Sequence, residues 1–155
     1  MIVKPFVLAF IATAGFAVLF NIERKKAVVA SFGGSLAWVV YETLNTLTGA
    51  DLLSLFAASI AIGIYSEIMA RKMKSPATIF YIPGFITLVP GAYVYYTMLE
   101  AAEQNYGGAL DMFLITLLKS AAISLGLIVA SAMVAVILNI KKIRLNTWKK
   151  ELKNN

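Results

Sequence analysis

Three charged side chains, Glu42, Glu67 and Lys119, sit well inside long apolar runs of this 155-residue chain, and Arg71 directly follows one of those runs. On insertion scales each costs about 2.5 to 3.5 kcal/mol near the centre of a bilayer, so a chain that keeps them must pair them, hydrate them or use them. Lys119 is the deepest. Counted from Asp111 it lies eight residues into its run, about 12 Å along a helix, where it either lines a polar path or snorkels outward. Glu42 lies some five residues from the end of its run, close to an interface. Glu67 and Arg71 are one helical turn apart, a spacing that serves a plain ion pair on one helix face as readily as the mouth of a path.

Backbone chemistry is the second signal. Residues 81–93 contain Pro83-Gly84 and Pro90-Gly91, two such pairs seven residues apart within one apolar run. Each Pro removes an amide donor and pushes the chain off the preceding carbonyl, and each Gly is free to unwind. The spacing predicts a broken helix, the alternative being a kinked structural one. Broken helices at membrane depth aim oriented backbone dipoles at substrates and coupling ions. Pro83, Gly84, Pro90 and Gly91, with Tyr95 just beyond them, are therefore candidate substrate-path residues together with Glu67, Arg71, Lys119 and Glu42.

These residues must be positioned by elements that live in lipid. The chain is 60% hydrophobic and 14% charged, with a mean hydropathy of +0.80. Soluble chains run at roughly 45 to 50% apolar and about 25% charged. A helix needs ~20 apolar residues to cross ~30 Å of hydrocarbon, and charge interrupts the sequence so as to leave five such runs, at residues 2–22, 27–47, 52–70, 79–99 and 112–140. Lys and Arg number three in the first connection, none in the second, three in the third, none in the fourth and six in the tail. Because Lys and Arg concentrate in cytoplasmic loops, this alternation predicts an all-α bundle of five membrane helices, N-out and C-in, with the fourth helix broken. Residues 1–140 form a single transmembrane domain, and residues 141–155 a basic cytoplasmic tail.

The first run reads as a membrane helix rather than a cleaved signal peptide, because its positive cluster follows the apolar stretch instead of preceding it. The tail's basic residues around Trp148 read as a topology anchor against anionic headgroups, not as a nucleic-acid surface. Small residues recur at spacing four: Ala122, Gly126 and Ala130; Ala30 and Gly34; Ser54 and Ala58. They let helix backbones approach, through packing within the bundle or, as the alternative, in a dimer seam.

With no Cys and no His, the chain offers no thiolate or imidazole metal ligand and no nucleophile pair of those types. Both aspartates, Asp51 and Asp111, fall in connections expected outside, away from any intramembrane carboxylate pair. No phosphate-cradling glycine loop is present. An enzyme, a metal site and a cofactor are not expected.

Several segments together resemble the threonine/serine exporter family. They are residues 15–21, Trp38 to Tyr41, Glu67 through Arg71, Ser75-Pro76-Ala77-Thr78, Pro83-Gly84 through Val89-Pro90-Gly91, and Tyr96-Thr97-Met98. The match is to the small subunit, which corresponds to the C-terminal membrane half of fused exporters. The resemblance implies export of small polar metabolites, threonine and serine or a dicarboxylate such as succinate, driven by the proton-motive force. It also implies a larger membrane partner subunit and a prokaryotic cell membrane, while the small size of a five-helix bundle points by itself to association with another subunit, a homo-oligomer included. Glu67, Arg71, Pro76, Pro83, Gly84, Pro90 and Gly91 occupy the family's motif positions; Glu42 and Lys119 do not. The alternative is a scaffold or regulatory membrane subunit that transports nothing itself.

Overall fold

The structure, a computed structural model, describes the backbone of residues 3–154 and the side chains of residues 3–140 apart from 139. Those described residues form helices and their turns, with no strand. The helices are α1 (Val3–Leu19), α2 (Arg24–Thr48), α3 (Asp51–Lys72), α4 (Thr78–Phe85), α5 (Gly91–Ala102) and α6 (Tyr106–Asn154), with a single 3₁₀ turn, Ile86–Leu88, after α4. α2, α3 and α6 are each long and apolar enough to cross a membrane. α4 with its 3₁₀ turn and α5 make a fourth span if taken as one bent unit, while α1 is apolar but only 17 residues long.

Each of four connections contains a residue in the left-handed region. Asn21, Lys74 and Gln104 all have positive φ. After each, an amide reaches back five residues: Ile22 to Ala17, Ser75 to Ala70 and Asn105 to Glu100. This ties off the last carbonyls of α1, α3 and α5. Gly49, at φ +65°, ends α2 in the same region, where glycine carries no steric penalty.

Two elements differ from the expected spans. The long acidic connection shrinks to residues 103–105, because the Asn105 side chain accepts from the Gly108 amide at 3.2 Å and caps α6, which therefore starts six residues before the expected position. At the other end α6 does not stop at residue 140 but runs on through the basic tail. The tail's side chains, and with them the headgroup-anchor reading of its basic residues and Trp148, lie outside the described residues.

Glycines and alanines set how closely the helices approach. α3 and α6 run parallel: Ser59 and the Phe56 carbonyl meet Gly126, and Gly63 meets Ala130. The small-residue stripe of α6 is thus used inside the bundle. α1 packs on α2 with Thr13 against Gly34, and α4 lies in the angle between α2 and α3 where Gly84 approaches the Gly34 amide and Ile62. Buried Ala37, Leu55, Ala58, Ile62, Leu88 and Ile123 form the main core. The α2/α3 turn defines one end of the bundle, called upper here. The α1/α2 and α3/α4 turns, with Arg24, Lys25, Lys26, Arg71, Lys72 and Lys74, share the lower end.

Candidate functional site

The fourth run is interrupted once, and the two Pro-Gly pairs play different parts. Pro83 and Gly84 lie inside α4, which continues through them to Phe85. This corrects the expectation of a break at both pairs: Gly84 is held in the helix by its packing, since a Cβ there would lie 2.8 Å from Ile62. The chain leaves the helix further on. Val89, preceding proline, is extended, with φ −60° and ψ 133°. Pro90, at φ −75° and ψ 56°, closes a tight turn in which the Gly91 amide donates to the Val89 carbonyl at 2.8 Å. α5 departs at 52° to the preceding segment. The Thr87 hydroxyl donates to the Gly84 carbonyl at 2.8 Å, satisfying one acceptor that the interrupted helix leaves over.

Beside this break lies a cavity of about 170 Å³, lined among others by Trp38, Tyr41, Thr87, Pro90, Tyr93 and Lys119. At ~30 Å³ per water, that is room for five or six waters or for a metabolite of similar bulk. Its polar lining combines a helix dipole with an ammonium whose charge a neighbouring carboxylate balances. The first turn of α5 faces it with the positive end of its dipole, and Lys119, only 8% exposed, contributes its ammonium. Lys119 Nζ is 2.5 Å from Asp51 Oδ2 and 4.2 Å from the centre of the Tyr93 ring. Asp51 Oδ1 accepts from the Tyr41 hydroxyl at 2.8 Å. Four helices therefore contribute one member each to a chain of contacts: Tyr41, Asp51, Lys119 and Tyr93.

A second cavity of about 460 Å³ opens between α1 and α2, lined by Lys4, Glu42, Phe16, Trp38 and Thr87 among others. Trp38 and Thr87 line both cavities and form the wall between them. Glu67 is elsewhere, in the lower half, where it borders a cavity of about 310 Å³ with Tyr81 and Ser131 and pairs with Arg71 at 3.1 Å. Tyr95 is 61% exposed on α5 and stacks edge-on against Tyr96.

The residues singled out from sequence thus fall into separate places. Pro90, Gly91 and Lys119 come together at the upper cavity, and Glu42 lies one wall away. Pro83 and Gly84 are packed below them, Glu67 and Arg71 sit at the lower end, and Tyr95 stands apart. Sequence reasoning missed Asp51, Tyr41, Tyr93, Trp38 and Thr87. It placed Asp51 and Asp111 alike in outer connections, yet Asp51 is level with Lys119, eight residues along α6 from Asp111. One signal was available, since a buried lysine requires a carboxylate partner, but five of the eight acids, Glu42, Asp51, Glu100, Glu103 and Asp111, lie toward the upper end, so the sequence did not single out Asp51.

A helical, apolar chain with several membrane-crossing elements and an interrupted span beside a small charged cavity is a multi-pass membrane protein of transporter type. The chain belongs to the family described as Threonine/Serine exporter, ThrE, which it matches over residues 5–133, a stretch that includes the break and every residue named at the two upper cavities except Lys4. No curated protein and no solved structure matches the chain. Membership gives it a transport role of the threonine/serine exporter type.

Proposed function

We propose that this chain is the small membrane subunit of a secondary exporter for small polar metabolites, threonine and serine or a dicarboxylate such as succinate. It is driven by the proton-motive force and works with a larger partner subunit in a prokaryotic cell membrane. The observation that carries this reading is the cavity at the Val89 to Gly91 interruption, where a half-helix N-terminus and a buried ammonium converge on a space of metabolite size. Oriented amides and the ammonium receive a carboxylate, and the rings of Trp38 and Tyr93 offer faces to an amino group. α1 counts as a fifth span, and the bundle sits N-out and C-in with its basic lower end inside. Glu67 and Arg71 then stand at the inner mouth.

The test removes the interruption. Pro90→Ala combined with Gly91→Ala lets α4 and α5 merge into one continuous helix. Threonine or succinate efflux from cells expressing the chain and its partner should then be abolished while the protein still accumulates in the membrane. Undiminished efflux by that folded variant would remove the break from the transport path.

A further inference from the structure

We infer that Asp51 is an internal substitute for a substrate carboxylate. It neutralises Lys119 in the resting protein, and a carboxylate entering the adjoining cavity displaces it and takes over the ammonium. The inference rests on the exporter reading above and adds the chemical group that the site selects.

The two members of the pair are unequal. Lys119 is buried in the first third of α6, enclosed by Tyr93 and the cavity wall, and has nowhere else to place its charge. The Asp51 side chain is 35% exposed, sits in the first turn of α3 beside the α2/α3 turn, and is tethered through Oδ1 to Tyr41. A buried cation facing a partly exposed anion exchanges its partner on the anion's side. The charged and titratable groups around the pair are Tyr41 on α2, Tyr93 on α5 and the two partners themselves; the 3₁₀ turn contributes only the Thr87 hydroxyl. Among the described residues, no carboxylate besides Asp51 pairs with Lys119. After exchange, the ammonium and the incoming carboxylate are again neutral together, and Asp51 swings toward water, where its charge is solvated. The site therefore requires a carboxylate, which amino acids and dicarboxylates share, and rejects molecules in which that group is esterified.

Trp38 lines the cavity and the chain has two tryptophans, so in a Trp148→Phe background Trp38 fluorescence reports binding without transport or a partner. The protein is titrated in phosphatidylcholine nanodiscs, free of anionic lipid, with L-threonine, succinate and L-threonine methyl ester. Threonine or succinate should give a saturable change and the ester none. Asp51→Asn should tighten binding roughly tenfold by removing the internal competitor, and Lys119→Met should weaken it by at least about tenfold. Lys119→Arg should retain binding. The double variant Asp51→Asn with Lys119→Met strands no charge, so it separates misfolding from loss of the site; it should fold and not bind.

Weaker binding in Asp51→Asn, or equal binding of the ester, overturns the inference by making the pair purely structural. Absence of any fluorescence response from the wild-type protein in nanodiscs, when cells expressing it with its partner still export, would likewise sink it while leaving the exporter reading intact. Carboxylate binding with this specificity in a chain that supports no efflux would do the reverse.

Discussion

Lys119 and Asp51 show how a single buried charge organises its surroundings. An isolated ammonium in low dielectric is unfavourable by several kcal/mol, so the fold brings a carboxylate from another helix and an aromatic face from a third. Glu67 and Arg71 are the contrasting pair, on one helix with Arg71 half-exposed. Pairs of that kind contribute ~0.3 to 0.5 kcal/mol. Glu67→Gln should accordingly leave the thermal unfolding of the detergent-purified protein nearly unchanged, and any accompanying loss of efflux would belong to transport rather than folding. Glycines give a sharper stability test. At Gly126 a Cβ would lie 2.6 Å from the Phe56 carbonyl oxygen, so Gly126→Ala should destabilise by about 1 to 3 kcal/mol through overpacking against rigid backbone. At Gly15 nothing lies within 4 Å, and Gly15→Ala should be neutral or stabilise by up to ~1 kcal/mol. Thermal melts of the two variants side by side decide this, and equal loss in both would contradict the packing described.

At the scale of elements, the fourth span shows that proline alone does not define a break. Pro83 stays within α4 because Ile62 and the α2 glycines hold that helix where it is, and Gly84 is there for contact. Pro90 has the extended Val89 before it and its own tight turn, and the helix parts at that point. Each proline therefore has a distinct expected effect. Pro83→Ala restores one helical hydrogen bond and should preserve efflux, whereas Pro90→Ala with Gly91→Ala should abolish it; efflux assays on the two variants, normalised to membrane protein, test the distinction. Asn105 is the other element-level device. Asn105→Ala removes the cap of α6 and should destabilise its first turn by ~1 kcal/mol, measured as faster amide exchange at residues 106–109.

For the whole molecule, the parallel register of α3 and α6 sets the shape. Residues 106–118 of α6 extend past the α2/α3 turn by about 20 Å at 1.5 Å per residue, and α5, none of whose residues is buried, runs beside them. This hairpin carries exposed Val94, Tyr96, Met98, Leu110, Phe113 and Leu117, an apolar surface for lipid or, under the proposed function, the larger subunit. The orientation proposed above has a direct check because the chain contains no cysteine. Single cysteines at positions 103 and 111 should react with a membrane-impermeant maleimide on intact cells, and one at position 74 only after permeabilisation. The opposite pattern would invert the molecule.

Sequence by itself determined that the chain is helical and lives in lipid, which stretches connect most of its helices, and that two basic connections share one end. These follow from one-dimensional quantities: run length, charge between runs, and the few residues that tolerate a turn. The pairing of Glu67 with Arg71 was also legible, because partners four residues apart on a helix meet whatever the rest of the fold does. Tertiary structure alone decided that Pro83 stays helical while Pro90 does not, since the difference lies in what packs against each. It alone joined Asp51 to Lys119, two residues far apart in the chain on helices whose relative height no hydropathy pattern encodes. A membrane sequence records which stretches are apolar enough to enter lipid, but the vertical offset between helices is fixed only when small residues such as Gly63, Gly126 and Ala130 lock into one another.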